Sequence, residues 1–124
     1  DRHKISKIKC KTTTIDKFMK SRRHGIDLIK CDVEGAELFV FRGAIKTFKK
    51  YKPVIFAELL RKWSAKFNYH PNDVIKILGD IGYECYCAKS NKLARIKQIT
   101  DKTSATNFYF FHSRKHSSLL KKLI

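Results

Sequence analysis

The sequence predicts an α/β fold whose sheet is mainly parallel, with an antiparallel pair of strands at its C-terminal end. Three observations carry this expectation. Two short apolar runs, residues 26–33 and 54–59, have the length and the flanking turn signals of buried strands. The segment between them has helical periodicity, and strand, helix, strand in so few residues makes a right-handed βαβ unit. Two further runs rich in aromatic residues, YECYCA and TNFYFF, are joined by the polar, lysine-bearing stretch 89–105 and complete the sheet.

Taken in order, ISKIKCKTTT at residues 5–14 alternates, with Ile8, Cys10 and Thr12 on one face and lysines on the other, as an edge strand should. Thr14 or Asp16 then caps a short helix, IDKFMKSRR, which ends before Gly25. The run 26–33 follows, apolar on both faces apart from Lys30, which needs a partner. From Glu34 a helix is expected, because Leu38, Phe41, Ile45 and Phe48 recur at helical spacing. Acid opens this helix and Lys46, Lys49 and Lys50 close it, matching its dipole. Gly43 inside it costs about 1 kcal/mol relative to alanine, which points to a close packing contact.

Pro53 ends that helix, and VIFAEL makes the second strand, closing on a lone acid, Glu58. RKWSAKFNYH is a loop, after which Pro71 opens a helix that buries Val74, Ile77, Leu78 and Ile81 and stops at Gly82. His70 is read first as a helix-start residue and second as a catalyst. The final SSLLKKLI is a short helix or tail.

A chain of 124 residues with 43% hydrophobic content fits a single domain, residues 1–124, able to bury a core without metal or disulfide. No apolar stretch reaches the ~20 residues that cross a bilayer, and DRHKISKIKC is not a signal peptide, so a cytoplasmic location is expected. Cys10, Cys31, Cys85 and Cys87 show no zinc-ligand spacing. Alternation places Cys85 and Cys87 on one face, as buried free thiols in a reducing compartment. The net charge of +17 bears on partners. Its lysines are scattered along the chain and carry no RNA-binding motif, so nucleic acid is not favoured over a solvated basic surface.

The stretch IDLIKCDVEGAE concentrates Asp32, Glu34 and Glu37 around Gly35, directly after a buried strand. In open parallel sheets ligands bind beyond the carboxyl ends of the strands, where Asp32 and Glu58 are both expected. Neighbouring strands lie about 4.8 Å apart, close enough for the two acids to face one pocket. A phosphate loop would be rich in glycine and poor in acid, so the pattern favours a cation. The candidates are a sulfonium or ammonium group, a divalent metal, or the chain's own Lys30. The structural alternative is that Glu34 and Glu37 complement the helix dipole and that Asp32 pairs with Lys30 or caps the helix.

LIKCDVEGAELFVFRGA, then KPVIFAEL, then Gly82 and Tyr83, with TTTID ahead of them, resembles the second half of an FkbM-type methyltransferase from about Thr12 to Phe111. The resemblance implies a partial Rossmann-like class I fold and an enzyme that transfers a methyl group from S-adenosylmethionine to a hydroxyl of a small molecule such as a sugar or polyketide. By motif it implies Asp32, Glu34 and Gly35 at the cofactor and Asp32 and Glu58 as catalytic residues; Asp32 comes first as the base or as ligand of an optional metal, and no metal site is assigned. Lys30 belongs to the same motif. The glycine-rich cofactor strand of that fold does not precede residue 26, so the chain is expected to be the C-terminal portion of the domain and to bind the cofactor poorly alone. The rival expectation is a non-catalytic basic module that binds nucleic acid or an anionic surface, with an affinity that falls steeply with salt.

Overall fold

The computed structural model describes residues 5–124; residues 1–4 of the expected domain lie outside the described residues. Thr14 caps the first helix, α1 (Ile15–Met19), its Oγ1 accepting from the Lys17 amide at 3.1 Å. Strand β1 (Leu28–Cys31) leads through a turn to two helices, α2 (Glu37–Arg42) and α3 (Ile45–Tyr51), and then to β2 (Val54–Glu58). A short helix α4 (Arg61–Ser64) and a 3₁₀ turn (Ala65–Phe67) precede α5 (Pro71–Gly79). The chain ends with β3 (Tyr83–Lys89), β4 (Lys92–Ile96), β5 (Asn107–His112) and α6 (Ser117–Leu123).

The five strands lie in the order β1-β2-β5-β3-β4. Among the described residues only β1 and β2 pair in parallel; β2–β5, β5–β3 and β3–β4 are antiparallel. The expectation of a mainly parallel sheet is therefore corrected to a mostly antiparallel one. The cause is an insertion. β1, β2 and β3 point the same way, but β5 enters between β2 and β3 in the opposite direction and converts what would be one parallel pair into two antiparallel pairs.

Several local expectations also change. Residues 5–14 form no strand, and Ile5 and Ile8 are 91% and 81% exposed, because alternation alone supplies no buried face to pair against. The helix expected through Arg23 stops at Met19. Asp16 does not cap it; its carboxylate instead accepts from the Lys46 and Thr47 amides at 3.2 and 2.8 Å, capping α3 from thirty residues away. The long helix expected from Glu34 breaks into α2 and α3, and Gly43 sits at the break with Thr14 packed so close that a Cβ would lie 3.1 Å from it.

RKWSAKFNYH is helical in its first seven residues, not a loop. The polar stretch after β3 contains β4, joined by the two-residue turn Ser90–Asn91 with Ser90 at φ 56°. β1 was expected to be apolar and buried on both faces. In fact Cys31 is buried and Ile29 half-buried, while Leu28 is 63% exposed and Lys30 stands beside it in solvent.

The main core lies between one sheet face and α2, α3 and α5, with Phe41, Phe48, Ile55, Val74, Leu78 and Phe108 fully enclosed. Each such side chain stabilises the fold by roughly 1.5–3 kcal/mol relative to exposure. Cys31, Cys85 and Cys87 are free and buried, and Cys10 is free and exposed. Burial pushes the Cys31 and Cys85 thiols up to about 12, so both stay protonated and inert at neutral pH. On the opposite face α6 packs Leu120 and Leu123 against Tyr86 and Phe111. Among the described residues no helix is long and apolar enough to cross a membrane.

Candidate functional site

The parallel register sets Cys31 opposite Ala57, so the next residue on each strand, Asp32 and Glu58, arrive side by side at the carboxyl ends of β1 and β2. Both follow buried residues and so project to the face away from the main core. The turn after Asp32 adds a third acid. One carboxylate oxygen from each of Asp32, Glu34 and Glu58 lies within 4.8 Å of the other two. Asp32 and Glu34 are exposed and Glu58 is half-buried. Removal from water and the negative charge of Asp32 beside it raise the Glu58 carboxyl above its ordinary pKa.

The turn is held in an unusual backbone shape. Glu34 at φ 53° and Gly35 at φ 104° both occupy the left-handed region, which delays the helix to Glu37 and turns Glu34 back toward Asp32. Glycine is required at position 35, because a Cβ there would lie 2.6 Å from the Trp63 carbonyl oxygen and 3.1 Å from Phe67 Cδ2. Four sequence-predicted positions, Asp32, Glu34, Gly35 and Glu58, therefore come together.

Glu37 does not join them. It is buried, and its Oε1 accepts from the Val33 amide at 3.1 Å and the Gly35 amide at 3.3 Å, so it staples the turn from within. Tyr69 completes the staple, donating to the Gly35 carbonyl at 2.7 Å and lying 3.3 Å from Glu37 Oε2. Burial first, and then the Glu37 charge, push the Tyr69 hydroxyl up to about 12, which keeps it a donor. Sequence reasoning missed Tyr69 entirely. It sits thirty-four residues from Gly35, and nothing in NYHP announces the contact.

Two further candidates resolve differently. Lys30 stands on the exposed face beside Leu28, and among the described residues no carboxylate lies within salt-bridge distance of it, so the acids are not neutralised by their own lysine. His70 caps α5: its Nδ1 accepts from the Asn72 amide and its own amide donates to Asp73, both at 3.1 Å. Exposed Phe39 and Phe67, edge to face at 5.7 Å, border the acid turn instead.

Chemically the arrangement offers three carboxylate oxygens of negative charge. It suits a sulfonium or ammonium group, and the same three oxygens could hold a divalent cation. Residues 2–85 match the family model of the methyltransferase FkbM domain, a span that contains all four convergent positions. No curated protein and no solved structure matches the chain.

Proposed function

The chain belongs to the methyltransferase FkbM family, and from that premise we propose that it takes part in S-adenosylmethionine-dependent methyl transfer to a hydroxyl oxygen of a small molecule. The observation that carries the proposal is the convergence of the Asp32, Glu34 and Glu58 carboxylates within 4.8 Å, two from the turn that contains Gly35 and one from the end of β2. S-adenosylmethionine, when bound, supplies a methyl carbon made electrophilic by its sulfonium. Asp32 and Glu34 would face that positive centre, and Gly35, packed against the Trp63 carbonyl, would hold the turn that carries them.

Asp32 is assigned as the base, with Glu58 beside it as second proton acceptor. Alkylation of the acceptor oxygen would release the hydroxyl proton, which the Asp32 carboxylate would take up. Most of the rate comes from holding oxygen, carbon and sulfur in line, which a stapled turn does better than a mobile one.

A Rossmann-like relationship is part of the proposal, supported by the common direction of β1, β2 and β3 and by acids at the carboxyl ends of β1 and β2.

The test is release of S-adenosylhomocysteine across a panel of sugar and polyketide alcohols, with wild type and Asp32→Asn side by side. General-base loss lowers turnover by roughly 10²–10⁴. The melting temperature of the variant should stay within about 2 °C of wild type, since Asp32 is exposed. A variant that turns over within threefold of wild type, or that loses activity only in step with its fold, would remove Asp32 from the mechanism.

A further inference from the structure

The fold gathers positive charge at the end of the sheet opposite the acids. A cavity of about 1060 Å³ opens at the amino ends of β1 and β2, where Lys50, Lys52, Arg114 and Lys115 come together around Tyr51. They arrive from two segments more than sixty residues apart in sequence, the end of α3 and the turn after β5, and are joined by the 2.7 Å bond from Lys115 Nζ to the Tyr51 carbonyl. A second cavity of about 600 Å³ between α1 and α3 shares Lys50 and Tyr51 with the first and adds Lys17, Lys20, Arg22, Arg42 and Lys46. Together they form one basic trough with nine cationic side chains.

Among the described residues two carboxylates line the trough, and one is already engaged: Asp16 is taken up by the Lys46 and Thr47 amides and the Thr47 hydroxyl, leaving Asp27. Among the described residues none of the nine cations has a carboxylate within salt-bridge distance. Lys52 is a second, independent sign. It holds the left-handed position that ends α3, at φ 49°, a place where glycine or asparagine is the easier residue. A strained lysine there puts a charge at the cavity wall that the easier residues would not supply. The field it makes with Arg114 and Lys115 also reaches inward, adding to burial in holding the His112 imidazole below its ordinary pKa.

We infer that this trough binds a linear chain of phosphates, such as the backbone of a single-stranded oligonucleotide or inorganic polyphosphate. Two joined concavities suit an extended polyanion, which can neutralise many cations at once; a flat membrane surface cannot follow them. The trough lies at the other end of the strands from Asp32, so it does not depend on the methyl-transfer assignment.

The experiment uses the whole chain, a fluorescent oligothymidine of about 20 nucleotides, and anisotropy from low to about 200 mM salt. The triple variant Lys50→Gln, Lys52→Asn, Arg114→Gln is compared with a control of equal charge loss on exposed residues elsewhere, Lys89→Gln, Lys97→Gln, Lys102→Gln. Asparagine at 52 tolerates the left-handed backbone, and thermal melting confirms that both variants fold. The trough variant should lose at least tenfold in affinity, and its slope of log affinity against log salt should fall by about 2, for three lost contacts at about 0.7 each. The control should lose less than twofold, and Asp32→Asn should lose nothing. Polyphosphate that displaces the oligonucleotide identifies the phosphate chain itself as the ligand; failure to displace it assigns the source to nucleic acid. Equal losses in trough and control variants, or binding only to phosphatidylserine vesicles, would overturn the inference.

Discussion

Replacing Glu37 tests whether the acid turn is built from below. Its Oε1 is the acceptor for the buried Gly35 amide at 3.3 Å and the part-buried Val33 amide at 3.1 Å. In Glu37→Ala the Gly35 amide is left without a partner, at a cost of about 1–3 kcal/mol, while the Val33 amide regains water at about 1 kcal/mol or less. The sum is roughly 1–4 kcal/mol, or a fall of about 4–16 °C in melting temperature for a chain of this size. Glu37→Gln keeps an amide oxygen in the same place and loses only the charge, so it should cost about 1 kcal/mol. Urea unfolding followed by circular dichroism measures both. Methyl transfer should fall further in the alanine variant than in the glutamine variant, because the loosened turn carries Glu34. If alanine costs less than 1 kcal/mol, or glutamine costs as much as alanine, the staple is not what holds the turn.

Two other outcomes follow from the same geometry. Gly35→Ala meets the rigid Trp63 backbone at 2.6 Å in a left-handed conformation and should lose upward of about 3 kcal/mol, whereas Gly43→Ala meets only the Thr14 side chain at 3.1 Å and should change stability by about 1 kcal/mol or less; paired melting curves separate them, and similar values would contradict the contacts described. Glu58→Gln should be more stable than wild type at pH 8 and no different at pH 4. The sign follows from the raised Glu58 pKa: the folded state favours the protonated carboxyl, a benefit present below the ordinary carboxylate pKa and lost as pH rises through the folded value. The same variant should lose methyl transfer, and a melting difference that is independent of pH would show that neither removal from water nor the Asp32 charge raises the Glu58 carboxyl.

The sequence by itself determined the local units. The apolar runs around Ile29 and Ile55, the α5 start at Pro71 with its His70 cap, the C-terminal helix and the acid at the end of each of the first two strands are all short-range patterns, decided by side-chain period and capping chemistry. The Ser90–Asn91 pair before the LARI run is also a local signal, that of a hairpin turn. Tertiary structure alone decided which strands touch. Strand order depends on competition among faces and edges, and β5, though last in sequence, wins the place between β2 and β3 through Phe108 and Phe110, which fill the core there. The same holds for long-range polar contacts. Asp16 on α3, Tyr69 on Gly35, and scattered lysines drawn into one trough all arise only after the chain has folded, since burial and proximity between residues far apart are properties of the packed molecule and leave no periodic trace in the chain.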